Sequence, residues 1–212
     1  MDEITKIETI DQYDQLFGLE TLHPLVNVID FSKATKTVEY YHMNIGFYSL
    51  FLKDAKCGDL RYGRKYYDYQ EGTVVCMAPG QVIGIDNRKK TPQRTKSIGV
   101  LFHPDLIRGT SLGQNIKNYS FFSYEVNEAL HLSEQEKEIV TDCIHKIQIE
   151  LEHAIDKHSK QLIVRNIELL LDYCMRFYER QFITRNQVNK DIIVRFEHLL
   201  DEYFQGQVAL TE

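Results

Sequence analysis

The eight histidines and four cysteines are the side chains best suited to hold a metal or attack a substrate, so their spacing decides first which chemistry is open to this chain. Cys57, Cys76, Cys143 and Cys174 form no C-x-x-C pair, and no histidine completes a zinc spacing beside them. Each falls in or beside an apolar stretch, which predicts reduced, buried thiols. His145, His153 and His158 lie on or near one predicted helix, but their spacing does not bring two to one face with a carboxylate in reach. They read as a solvated face. The sequence holds no G-x-x-x-x-G-K-[ST], no G-x-G-x-x-G and no H-E-x-x-H. No catalytic residue, metal or cofactor is therefore expected, and the chain is not expected to be an enzyme. His42, in YYHMN, and His103, at the end of KSIGVLF, remain as ligand contacts to consider.

The pattern around His42 is that of a β layer. Stretch 71–86, EGTVVCMAPGQVIGID, carries two short apolar runs on either side of Pro79-Gly80. Pro sets φ near −65° and Gly accepts φ > 0, which predicts two strands joined by a tight turn. Gly72 and Gly84 mark places where backbone approaches something closely. Further strand-like runs lie at 25–31, 45–52, 57–63 and 96–102. Run 45–52, IGFYSLFL, is apolar on both faces, as a central strand or a covered barrel wall requires. Six to eight short strands within about eighty residues predict a small barrel or sandwich.

From Pro104 the pattern turns helical. HPDLIRG opens with Pro at a first helical position and stops at Gly109. Phe121-Phe122-Ser123-Tyr124 reads as a docking segment. Ser133 to Glu136 is a capping box, after which Ile139, Val140, Cys143, Ile144, Ile147, Leu151 and Ile155 recur at spacings of three and four. Ser159 reads as the cap of a second helix, with Asn189 or Asp191 opening a third that ends at Gly206. The first two are joined by almost no loop and are expected to pack antiparallel. The apolar stripe of the second is wider than one β layer needs, which marks a candidate dimer seam.

A net charge of −6 argues against the chain itself gripping nucleic acid. Its one basic run, 88–96, reads as a solvated hairpin loop. No apolar run approaches the ~18 residues of a membrane span, and the N-terminus has no basic-then-apolar leader, so a cytoplasmic protein is expected.

The order of these features resembles the cupin-type sensor domain of AraC-family transcription regulators. The match is carried by His42 before an apolar strand, a glycine-bearing hairpin at 58–63, a Tyr-rich segment, then EGTVVCMAPGQV, strand 96–102, HPDLI, FFSY and the helix pair opening at Ser133. It spans about residues 24–205. Two departures matter. Gln81-Val82-Ile83 stands where metal-binding cupins place a histidine after the Pro-Gly turn, and His42 is alone in His42-Met43-Asn44. The chain also stops at Glu212, where the family's helix-turn-helix domain would begin.

The resemblance implies an α+β fold: a cupin-like, jelly-roll β-barrel over 1–127 that senses a ligand, then a helical dimerisation region over 128–212, an antiparallel hairpin plus one further helix. A small-molecule effector, a sugar or other metabolite, would enter the barrel. His42, Tyr48, Arg61, Tyr67, Met77 and Gln81 are the candidate ligand-binding residues. Ile163, Ile167, Leu170, Cys174 and Phe177 are the candidate homodimer interface. DNA would be reached only through an attached domain. The alternative is a cupin-fold enzyme, isomerase or oxygenase, acting on a small sugar or acid.

Overall fold

The computed structural model describes residues 4–36, 40–53, 59–62, 65–66, 72–86, 97–122, 129–153, 156 and 158–208. In chain order these form β1 (Thr5–Ile7), α1 (Ile10–Phe17), β2 (Val26–Asp30), β3 (Tyr40–Ile45), β4 (Tyr48–Lys53), β5 (Asp59–Tyr62), β6 (Lys65–Tyr66), β7 (Thr73–Met77), β8 (Val82–Asp86) and β9 (Ser97–Phe102). The short helices α2 (Pro104–Ile107) and α3 (Ser111–Asn115), strand β10 (Leu130–His131), α4 (Glu134–Glu152) and α5 (Ser159–Val208) follow. The fold is α+β. No described helix is long and apolar enough to cross a membrane.

Ten strands make two five-stranded sheets, ordered β1-β3-β8-β5-β6 and β10-β7-β4-β9-β2. The sheets share no ladder, so the described strands do not close into one barrel. They face each other across one core. Met43, Ile45 and Ile83 of the first sheet meet Ile29, Phe51, Val75, Met77 and Leu101 of the second in a single buried cluster. Helix α1 closes that cluster with Ile10, Tyr13 and Phe17, whose spacing puts them on one helical face. The Tyr13 ring lies edge-on to Phe47 at 5.8 Å and beside Phe17 at 4.9 Å.

The run 45–52 is not one strand. β3 ends at Ile45, Gly46-Phe47 turns a corner, and β4 begins at Tyr48 in the other sheet. Phe47 is fully buried at this corner, so the apolar pattern continues while the direction changes. β4 itself is central and buried on both faces, as its sequence predicts. The Pro79-Gly80 turn is likewise a corner between sheets. Gln81 N–H bonds to the Ala78 carbonyl at 3.3 Å, with Gly80 at φ 84°. Only glycine takes that backbone without strain.

The outer face of the second sheet is covered by α4, which packs across β2, β9 and β4. Its capping box is present as its sequence predicts: the Glu136 carboxylate accepts the Ser133 N–H at 2.8 Å. The start of α5 differs from expectation. Asp156, not Ser159, accepts the leading N–H groups, from His158 at 2.7 Å and Ser159 at 3.0 Å. Those bonds hold its exposed carboxyl below the usual range. No third helix begins at Asn189 or Asp191, because α5 runs unbroken to Val208, past Gly206. No proline interrupts 159–208, and a lone polar stretch does not break a helix.

Compact units divide the chain after Met175, within α5. Unit 1–175 holds both sheets and α4; unit 176–212 continues α5. The boundary expected between 127 and 128, the basic run 88–96, Cys57 and Tyr67 lie outside the described residues.

Candidate functional site

Of the six ligand-binding candidates, Tyr67 lies outside the described residues, and the other five are spread over both sheets and the corner between them. Met77 lies in the core between the sheets. Ser49 pairs with Met77 and shares its face, so the next residue, Tyr48, points to the opposite one. There its ring stacks on Phe102 and meets Phe122 edge-on, both at 5.0 Å. The docking role expected of Phe121-Phe122 thus falls on Tyr48. His42 alternates with core residue Met43, which puts it on the outer face of the first sheet. Arg61 lies on the same cross-strand row as His42, with Gly84 between them. These two candidates share a row; the others do not join them.

Gln81 has a structural role. Its side-chain oxygen accepts the Ala78 N–H at 2.8 Å, and its amide donates to the Phe122 carbonyl at 3.1 Å. Both ends are engaged, at 6% exposure. His103 caps α2, accepting the Asp105 N–H at 3.2 Å. Among the described residues no group of three His, Cys, Asp or Glu is placed to hold a metal ion. Cys76, Cys143 and Cys174 are free, and burial pushes their thiols up and away from reactive thiolate.

A cleft of about 610 Å³ lies elsewhere, between α4 and the second sheet. One wall is a cross-strand row: Asp30 of β2, Ile98 of β9 and Leu52 of β4 are register partners, with Ser97 one position on. The facing wall is the polar border of α4. Glu134, Lys137, Glu138, Thr141, Asp142 and His145 recur at three- and four-residue steps beside the buried stripe of Val140, Ile144 and Ile147. The same packing that seats the stripe on the sheet therefore turns this border toward the row.

The cleft is weighted to acceptors. Four carboxylates, Asp30, Glu134, Glu138 and Asp142, face one lysine and one histidine. Lys137 is bound to Glu134 at 2.8 Å, and the Asp30 carboxylate is held by the Ser32 N–H at 2.9 Å and hydroxyl at 2.6 Å. Apolar Leu52 and Ile98 form a floor; Ser32 and Thr141 add hydroxyls. The volume falls in the ordinary range for a metabolite site, roughly 300–1,000 Å³. Such a lining suits a small ligand rich in hydrogen-bond donors, an amine or a polyol.

Among the described residues that line this cleft there is none of the candidates. Sequence reasoning placed His145 on a solvated face and passed over Thr141 and Asp142. The signal available was the pairing of polar positions alongside the apolar stripe, but it cannot name the strand row opposite.

Compared with known proteins, the chain matches no family model, and no curated protein matches it significantly.

Proposed function

We propose that the chain is the effector-sensing and dimerisation part of an AraC-type transcription regulator, with a jelly-roll, cupin-like arrangement of its strands. The reading rests on one observation above others: a ligand-sized cleft whose walls are the second sheet and α4. A molecule bound there touches β2, β4, β9 and the helix that leads into α5. It can bias the helix relative to the sheet if its affinity differs between two arrangements. The distribution of strands also supports the reading. Chain order alternates between sheets at β3, β4, β5, then β6, β7, β8 and β9, as jelly rolls do. The attached DNA reader is part of the proposal, and so is a cytoplasmic setting.

A thermal-shift screen of sugars, amino sugars, polyamines and small acids tests the sensing role. A ligand at about 100 times its Kd adds about 2.7 kcal/mol, roughly 5–10 °C for a chain of this size. Thr141→Arg, which fills the cleft from an accessible helix border, should remove that shift while leaving the free protein's melting unchanged. A shift that survives Thr141→Arg places the effector elsewhere. Stoichiometric metal with turnover of a carbonyl substrate would favour the enzyme alternative.

The dimer seam needs relocating within the proposal. Ile163, Ile167, Leu170, Cys174 and Phe177 are at most 5% exposed in the single chain. A second copy cannot reach them. Leu162 and Leu169, one heptad apart on α5, are 44% and 41% exposed and offer the apolar contact instead. Leu169→Glu is expected to convert a dimer to a monomer in sedimentation equilibrium with the melting temperature nearly unchanged. Leu170→Glu, by contrast, should unfold the chain by burying a charge. A wild-type monomer at high concentration would remove the seam.

A further inference from the structure

The apolar face of α1 carries one residue that does not belong there by polarity. Ile10, Tyr13, Asp14 and Phe17 are its buried positions, and Asp14 is completely enclosed. One carboxylate oxygen, Oδ2, accepts the Thr21 hydroxyl at 2.6 Å and the Asn27 amide at 2.8 Å. The other N–H of that amide goes to the Glu20 carbonyl at 2.9 Å. Both donors of Asn27 are thus matched to oxygen acceptors, which settles the amide's orientation; flipped, its carbonyl would face two oxygens. What remains is a pair of buried acceptors on neighbouring groups, Asp14 Oδ1 and Asn27 Oδ1, neither with a donor among the described residues. Leaving both unpaired is costly.

We propose that Asp14 is a neutral carboxylic acid in the folded protein, with its proton on Oδ1 and donated to the Asn27 carbonyl oxygen, so that a proton latches α1 to β2. A single proton turns one of the two acceptors into a donor and satisfies both. The result is an acid–amide pair, with Oδ2 still free to accept from Thr21 and Asn27.

The surroundings support the neutral form. Burial pushes the carboxyl up by more than the Thr21 and Asn27 bonds pull it down, and Asp11, one turn back on α1, pushes the same way. The cations on adjoining segments do not offset this. Lys36 donates to the Gln15 carbonyl at 2.9 Å, and Lys33 lies at the end of the turn after β2. His23 is held toward neutrality by burial and accepts the Leu25 N–H. On β2, Asp30 is bound to Ser32; Glu20 meets the pair through its carbonyl. The row running from Asn27 across the sheet, Leu101, Ser49 and Met77, is uncharged.

A carboxyl whose folded pKa lies above its unfolded value stabilises most below the unfolded value. That contribution disappears as pH rises through the folded pKa. Raising pH therefore weakens the hold of α1 on β2, where its Tyr13 and Phe17 rings cover the inter-sheet core.

Two substitutions in the full chain test the latch. Asp14→Asn is a permanent copy of the neutral acid, with its amide N–H aimed at Asn27 Oδ1; Asp14→Ala removes the pair. Thermal melting is followed from pH 4.5 to 8.5. Asp14→Asn should gain on wild type steadily from the acid end to the alkaline end, by about 3 °C or more across the range. Asp14→Ala should melt below wild type at pH 4.5. Carboxyl carbon NMR of aspartate-labelled wild type should show Asp14 still protonated at pH 5, a reading that needs no variant to fold. An ionised Asp14 at pH 5, or Asp14→Asn melting below wild type at pH 8.5, would overturn the proposal.

Discussion

Gln81→Ala is expected to lower the melting temperature by roughly 5–15 °C without changing the secondary-structure content. The side chain ties the corner after β7 to the Ser120–Phe122 turn, 41 positions away in sequence. Truncation strands two backbone groups at once, the Ala78 N–H and the buried Phe122 carbonyl. An unsatisfied buried partner costs about 1–3 kcal/mol. Because the Ala78 group is only partly buried, about 2–4 kcal/mol in total follows, and each kcal/mol shifts melting by roughly 2–4 °C at this size. Gln81→Glu separates the two bonds. Ionised, it keeps the acceptor for Ala78 and loses the donor to Phe122, so it too should melt well below wild type. Calorimetry on the pair checks both. A Gln81→Ala protein that melts within 1 °C of wild type would show that water replaces the amide at no cost.

The second large effect is at Gly99, on β9 opposite Phe51 of β4. A methyl group there would sit 2.5 Å from the Leu50 carbonyl oxygen and against the Phe51 ring. The ring cannot retreat freely, because Phe31 packs on it at 5.6 Å and Tyr13 at 6.4 Å. The carbonyl belongs to a central strand held on both edges. Overpacking costs about 1–3 kcal/mol, and more where backbone must move. Gly99→Ala is therefore expected to lose about 3 kcal/mol or more, measured by urea unfolding at constant m-value. Adding Phe51→Leu should recover less than half, because the carbonyl contact persists. Full recovery would place the whole conflict in the ring.

The cleft and the latch differ from these two in kind. Gln81 and Gly99 carry the scaffold, whereas Thr141 borders a space that a ligand can fill and Asp14 holds a titratable contact. Substituting the first pair changes melting under all conditions. The second pair should show its effect only with a ligand or across pH.

Local features were legible in the residues because their physics is local. The capping box of α4 needs only Ser133 and Glu136, three apart, and the Pro79-Gly80 turn needs only its own backbone preferences. The both-face burial of β4 follows from its unbroken apolar run. What misled was also local. Gly46-Phe47 carries the same apolar pattern as the strands it separates, so a corner looked like the middle of one strand. The polar segment after residue 184 looked like a break, although nothing in it forbids a helix.

Strand content, the α+β class and the amphipathic face of α4 were set by the order and period of residues along the chain. Which sheet each strand joins was decided only by the fold, since β7 and β8 read alike and yet part at the Pro79-Gly80 corner. That choice sends Met77 inward and Tyr48 outward, and ties Gln81 to Phe122. It also lays α4 along the row of Asp30, Ile98 and Leu52, three residues from three distant strands. The reason is physical. Side-chain period along a segment depends on neighbours in sequence, but a cleft depends on which surfaces meet, and burial of the whole core makes that selection.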